Sequence, residues 1–193
     1  MATPIAHSLA GLCCLGLVRV ARSKDQVALT PATMLLAACA ACLPDLDLVP
    51  SHLLTGNLAR LHSGPTHSLG FAVLAAAVAY AVLWRSRHRL DLALVVALSV
   101  ASHALIDLFT GPHLGASRSY GVPLLWPLVT DRLALPLTLF MGVKHGSVSI
   151  WFTWVNLRVA LLEVLMFVPP SLLALLLSRK RAALAGQLDV RRS

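Results

Sequence analysis

Apolar residues in this chain fall into long runs broken by short polar stretches, not into the narrow stripes of a water-soluble helix. Five runs are expected to span a membrane: about Ile5 to Val20, Leu29 to Leu43, Thr66 to Trp84, Leu90 to Phe109 and Ile150 to Leu177. A full span takes about 20 residues. The third and fourth runs are the clearest, and the first two are short. Local thinning of the bilayer, or packing against longer helices, meets such a deficit. The Pro169-Pro170 pair is expected to kink or break the fifth run, because proline removes a backbone donor and clashes with the preceding turn. Leu133 to Gly142 is apolar but too short to span and contains Pro136, so it reads as a re-entrant or interfacial piece.

Composition agrees with that pattern. Of the 193 residues, 58% are apolar and 12% are charged, and the mean hydropathy is +0.78. A soluble domain carries about 25% charged residues. The expected fold class is therefore all-α: an integral membrane helical bundle with about five transmembrane helices. One domain covers residues 1–193, with a motif-bearing core at about 1–140, a C-terminal helix at about 150–178 and a basic tail at 179–193.

The net charge of +8 does not point to nucleic acid. Its positive residues form short clusters between apolar runs: Arg19, Arg22 and Lys24; Arg85, Arg87 and Arg89; Arg179, Lys180 and Arg181. Cytoplasmic loops of membrane proteins are marked in this way. With those clusters inside, helices one and two form an outward-based hairpin, helices three and four repeat it, and helix five ends inside. Arg191 and Arg192 then also lie inside, while Arg60, Arg118, Arg132 and Lys144 lie outside. Met1 to Ser8 carries no Lys or Arg, so a secretory leader is not expected and the first run stays as a permanent helix. Cys13, Cys14, Cys39 and Cys42 all sit in apolar runs and are expected to pack as small hydrophobes, despite the Cys-x-x-Cys spacing of the last two.

That topology brings seven polar residues to one depth on the outer side. His7 opens helix one, Asp45 and Asp47 close helix two, His62 and His67 flank the start of helix three, and His103 and Asp107 end helix four. Ionisable groups in membrane segments are costly and mark function. Singly, each has a bland reading: an interfacial His7, a loop His62, an Asp107 bonded to a helix terminus. Together they form a metal set on four of the five helices. Imidazole and carboxylate without thiolate suit zinc, iron or manganese. His103 and Asp107 are four apart and share a helix face. Asp45 and Asp47 alternate in direction after Pro44, so that one can ligate while the other orients a histidine. Ser63 or Thr66 is a candidate N-cap for helix three. His113, Asp131 and Glu163 are reserve ligands, Glu163 being expected instead to pair with Arg158. His52, His88 and His145 are expected in loops, with His88 in a solvated basic turn.

Several of these segments, in order, resemble a known family. They are His7, Leu43-Pro44-Asp45-Leu46-Asp47, His62-Ser63-Gly64-Pro65-Thr66-His67-Ser68, Ser102-His103-Ala104-Leu105-Ile106-Asp107 with Thr110, and Gly121-Val122-Pro123-Leu124-Leu125-Trp126-Pro127. Over about residues 1–140 the chain is similar to the YdjM-like inner-membrane metal-dependent hydrolases. That family more commonly has Arg where Ser63 stands. It looks in turn like the zinc-dependent phospholipase C and P1-type nuclease group, which implies phosphoester hydrolysis.

The expectation is a membrane-embedded metal-dependent hydrolase. It would hold one to three divalent ions, zinc foremost, through His7, Asp45, Asp47, His62, His67, His103 and Asp107. Asp45 or Asp47 would take a proton from the attacking water. A site at the extracytoplasmic face of the inner membrane can reach a lipid or lipid-linked phosphoester. No Gly-x-Ser-x-Gly motif supports a covalent serine route. The alternatives are a divalent-metal transporter, a metal-binding membrane scaffold without catalysis, or a purely structural membrane protein. Transport needs polar groups near the midplane, whereas the inner halves of these runs are Ala, Leu and Val. Nothing in the sequence sets an oligomeric state.

Overall fold

A computed structural model describes residues 1–22, 26–144 and 152–190. Lys24, His145, Ile150, Arg191 and Arg192 lie outside the described residues. The helices are α1 (Pro4–Ala21), α2 (Pro31–Cys42), α3 (Leu48–Thr55), α4 (Leu69–Val82), α5 (Arg89–Leu108) and α6 (Trp154–Val190). α2 continues through a 3-10 turn, Leu43–Asp47, into α3, so the chain does not leave helical geometry at Pro44. Four helical stretches are long and apolar enough to cross a membrane: Pro4–Ala21, Pro31–Thr55, Arg89–Leu108 and Trp154–Gln187. α4 is apolar but shorter, at 14 residues. The protein is an all-α membrane helical bundle.

Local chemistry sets the helix starts. Pro4 and Pro31 occupy first-turn positions where a missing N–H costs nothing. The Thr3 hydroxyl accepts from the Ala6 amide, and Thr30 and Thr33 cap one another reciprocally. α4 is capped by Ser68, whose hydroxyl accepts from the Phe71 amide at 3.1 Å. The expected caps, Ser63 and Thr66, serve elsewhere, as described below.

α1 is the central element, packing on α6, α2 and α5, while α4 packs on α5. Two glycines make this closeness possible. A Cβ at Gly11 would strike the Ala37 backbone of α2, and one at Gly16 would strike Ala174 of α6. Small residues at crossings let membrane helices gain van der Waals contact where lipid supplies no hydrophobic drive. One half of the bundle is filled by Leu15, Val18, Ala37 and Val95.

The expected break at Pro169 and Pro170 does not occur, and residues 133–142 take a form that hydropathy does not indicate. α6 runs unbroken through Pro169 and Pro170. Membrane helices tolerate such prolines where neighbouring helices pack beside them. Here the Ser171 hydroxyl lies 2.7 Å from the carbonyls of both Phe167 and Leu9, tying the site to α1. Residues 133–142 are extended and pair along the chain after α5. β1 (Thr110–Gly111) runs parallel to β2 (Phe140–Met141), and single bridges join Gly115 to Thr138 and Val122 to Leu133. Long-range pairing satisfies the backbone of this segment, and hydropathy carries no trace of that. The same layer clasps two helix starts, since the Leu69 amide donates to Leu124 and the Val143 amide to Met1.

Candidate metal centre

All seven expected residues meet at one end of the bundle. His7 stands in the first turns of α1, and Asp45 and Asp47 in the 3-10 turn after α2. His62 and His67 bracket a short 3-10 turn, Pro65–His67, and His103 and Asp107 lie on the last turns of α5. His7, His67 and His103 are fully buried, and Asp107 is 3% exposed.

The inner group comprises Asp45, His67, His103 and Asp107. His103 Nε2 lies 3.1 Å from His67 Nε2 and 3.3 Å from Asp45 Oδ1. Asp107 Oδ2 is 3.4 Å from His67 Nε2 and 3.5 Å from His103 Nε2, and Asp45 Oδ1 is 3.6 Å from His67 Nε2. Tetrahedral ligands at roughly 2.0–2.1 Å from one zinc ion stand about 3.3 Å from each other. The five separations straddle that value.

Hydrogen bonding decides whether this set suits a cation. His103 Nδ1 is 2.7 Å from the Ala41 carbonyl, which can only accept, so Nδ1 carries the proton. In the neutral ring, Nε2 then holds a lone pair aimed at the cluster. The Thr66 hydroxyl donates to Asp47 Oδ2 at 2.9 Å and lies 3.0 Å from His67 Nδ1. That arrangement makes Nδ1 the donor and leaves His67 Nε2 also with its lone pair inward. Two such nitrogens at 3.1 Å, facing two carboxylates, call for a positive charge between them. Metal-ligating histidines donate their second N–H to a carbonyl or carboxylate in this way. Both oxygens of Asp45 and Oδ2 of Asp107 have no hydrogen-bond partner among the described residues, although they are buried. Buried polar atoms without partners are rare and call for an explanation. A divalent ion would satisfy one oxygen of each carboxylate.

Burial opposes a charge on His67, but the neighbouring carboxylates of Asp107 and Asp45 outweigh it and raise its pKa. Protons and metal thus compete for the same nitrogen.

The remaining three residues divide differently. Asp47 is saturated: Oδ1 is 2.6 Å from His62 Nδ1, and Oδ2 accepts from the Ser63 amide at 3.1 Å as well as from Thr66. It orients imidazoles and is not itself free. Asp47, His62 and His67 form a second possible group. His62 Nε2 points back toward Asp45 Oδ1 at 3.8 Å. His7 stacks on His103 with ring centroids 3.6 Å apart, and its Nε2 is 3.7 Å from Asp107 Oδ1. Neither ring nitrogen of His7 has a hydrogen-bond partner among the described residues. It borders the inner group without belonging to it.

The supporting residues lie far away in sequence. The Ala2 amide donates to Asp107 Oδ1 at 3.0 Å. Glu163 of α6 accepts from the amide and hydroxyl of Thr3, fixing the start of α1 and so the height of His7. The expected Glu163–Arg158 pair is not formed, and Arg158 stacks over Trp154 instead. Only Glu163, an ionisable residue in an apolar run, carried a sequence signal. Ser63 adopts φ +60°, a conformation unusual for a side-chain-bearing residue. The Asp47 carboxylate holds its amide, and Arg132 donates to its carbonyl at 3.0 Å. His113 and Asp131 are exposed and outside both groups. The cysteines are free thiols, with Cys42 beside Ser8 at 3.4 Å and outside the metal set.

Comparison with curated proteins and with solved structures gives no match. The model of one family, YdjM inner membrane protein, does match, over residues 1–182. The chain therefore belongs to the YdjM inner membrane protein family.

Proposed function

We propose that this protein is a membrane-embedded metal-dependent hydrolase that cleaves a phosphoester of a lipid or lipid-linked substrate at the extracytoplasmic face. The observation that carries the reading is the inner group. Its two imidazole lone pairs, and the carboxylate oxygens that have no hydrogen-bond partner among the described residues, are arranged for a cation.

A divalent ion held by Asp45, His67, His103 and Asp107 would acidify a bound water and polarise the scissile bond. The protein's own groups supply the rest. The Ala41 carbonyl and the Thr66–Asp47 relay fix the tautomers of His103 and His67. Asp45 Oδ1 faces the imidazoles, and its Oδ2 is left to accept a proton from the attacking water. Asp47, fully hydrogen-bonded, acts as an orienting group and not as the base.

A transporter would need polar groups continuing through the bundle. Beyond the centre, Leu15, Val18, Ala37 and Val95 close the interior instead, which favours a site over a pathway.

The catalytic test uses purified protein in liposomes with a panel of phospholipids and lipid-linked pyrophosphates, with and without chelator. Chelator-sensitive cleavage that disappears in His103→Ala is expected. Metal crossing the liposome membrane without cleavage would refute the hydrolase and favour transport. The orientation has its own test. With the native cysteines replaced, Asn57→Cys should react with an impermeant maleimide added outside cells and Ser86→Cys should not. The reverse labelling would invert the topology.

A further inference from the structure

A cavity of about 520 Å³ opens beside Asp45, between the start of α1, the start of α3 and the first turns of α6. That volume lies within the range of small-molecule sites, about 300–1,000 Å³. Its walls include Ile5, Leu48, Leu157 and Ala160, and its surface is overwhelmingly apolar. Two ionisable side chains belong to residues of its lining: Asp45, whose carboxylate oxygens are buried toward the metal centre, and the exposed Lys144 of the extended layer. Ile5 is 48% exposed and Leu157 47% exposed, so the cavity is open along the side of the bundle. α1 and α6 are both long and apolar enough to span the membrane, so a cleft between their ends opens sideways into lipid.

We infer that this cavity seats the hydrocarbon chain of an anionic phospholipid, with the phosphate at the Asp45 end and the Lys144 ammonium as counter-charge. As a statement about substrate, the inference rests on the hydrolase reading above. The occupant follows from three features of the cavity. An apolar wall rejects a water-soluble phosphoester, because burying a polar body there without partners is costly. A lateral opening between spans admits a molecule already in the bilayer. Lys144 and Asp45, both in the lining, offer a cation and the edge of the metal centre to the headgroup of an amphiphile. A free sugar phosphate or a nucleotide meets only the last of these conditions, whereas phosphatidic acid meets all three.

The test is photolabelling of the full-length protein in phosphatidylcholine vesicles containing phosphatidic acid with a diazirine in its acyl chain. Label should concentrate on peptides bearing Ile5, Leu48 and residues 152–160. Filling the cavity by Ala160→Trp, or from the facing wall by Leu48→Trp, should reduce that label to the level of the general lipid-facing surface. Leu173→Trp, at an exposed position elsewhere on α6, should leave it unchanged. Retained metal content would show that the filled variants are folded.

His103→Ala should keep the label while losing hydrolysis, which separates lipid seating from chemistry. Labelled protein that never cleaves any ester would end the hydrolase reading and leave lipid binding intact. Glycerol phosphate cleaved as readily as phosphatidic acid would overturn the inference and leave the hydrolase standing. Label spread evenly over the exposed helix faces, and indifferent to Ala160→Trp and Leu48→Trp, would also overturn it. So would unlabelled protein whose oligomeric mass in detergent falls in Ala160→Trp, because a second copy would then be the occupant.

Discussion

Where α1 ends and α5 begins, buried charge is matched. Arg22 pairs with Asp91 at 2.8 Å, and Arg19 donates to the Ser178 hydroxyl at 3.2 Å and to the Val27 carbonyl. Arg85 and Arg89 lie over the rings of Trp84 and Tyr80. At the opposite end, where α1 begins and α5 ends, the carboxylates of Asp45 and Asp107 and both nitrogens of His7 include buried atoms with no hydrogen-bond partner among the described residues. His7 and Arg19 sit twelve positions apart on one helix, or roughly 18 Å at the α-helical rise. The first end also holds a buried amide without a hydrogen-bond partner among the described residues, Gln26, but only at the second do such atoms belong to imidazoles and carboxylates gathered in one cluster. Satisfied charge anchors a helix end at the membrane surface. Partnerless imidazole and carboxylate, held by donors and acceptors behind them, describe a site shaped for something else.

The comparison can be broken by substitution. The largest effect is expected at the inner group. His67→Ala should reduce chelator-sensitive hydrolysis to background, because it removes a nitrogen at the centre of the cluster and leaves two carboxylates facing without it. Turnover surviving at the wild-type rate would remove His67 from the centre. An intermediate effect is expected behind the ligands. Asp47→Asn should weaken metal affinity by about 10–100-fold, the usual consequence of losing a group that orients a ligating histidine. Competition against a fluorescent chelator would measure this, and an affinity equal to wild type would reduce Asp47 to a loop-holding role. The smallest effect belongs to the other end. Arg22 is partly exposed, and exposed ion pairs contribute about 0–1 kcal/mol. Arg22→Gln should lower the thermal midpoint slightly and leave metal content unchanged. Loss of metal from that variant would mean that the two ends are not independent.

The clustering of these histidines and aspartates was legible because an ionisable residue at the end of an apolar run is conspicuous on its own. His103 and Asp107 needed only helical spacing, and Asp45 and Asp47 only their place at the end of a run. Their division of labour was not legible. Asp47 is the orienting carboxylate because Thr66, His62 and the Ser63 amide converge on it, and that convergence requires the left-handed Ser63. The role of Glu163 was hidden for a related reason. Arg158 is its neighbour in sequence, but Thr3, 160 residues away, is its partner in space. The fold shows the same boundary. α1 and α5 follow from hydropathy, whereas the paired residues among 110–142 owe their form to distant backbone partners that no local pattern encodes. Of the expected kink or break at Pro169 and Pro170, the break does not occur, in a helix that packs there against α1.

The central claim is that the polar end of the bundle is a metal centre, and metal content tests it most directly. Wild-type protein, purified gently without chelator and analysed by elemental mass spectrometry, should carry a stoichiometric divalent ion, with zinc expected. His103→Ala, purified identically and equally folded by circular dichroism, should carry none. A wild-type protein that is metal-free and fails to rebind zinc, iron or manganese would contradict the account.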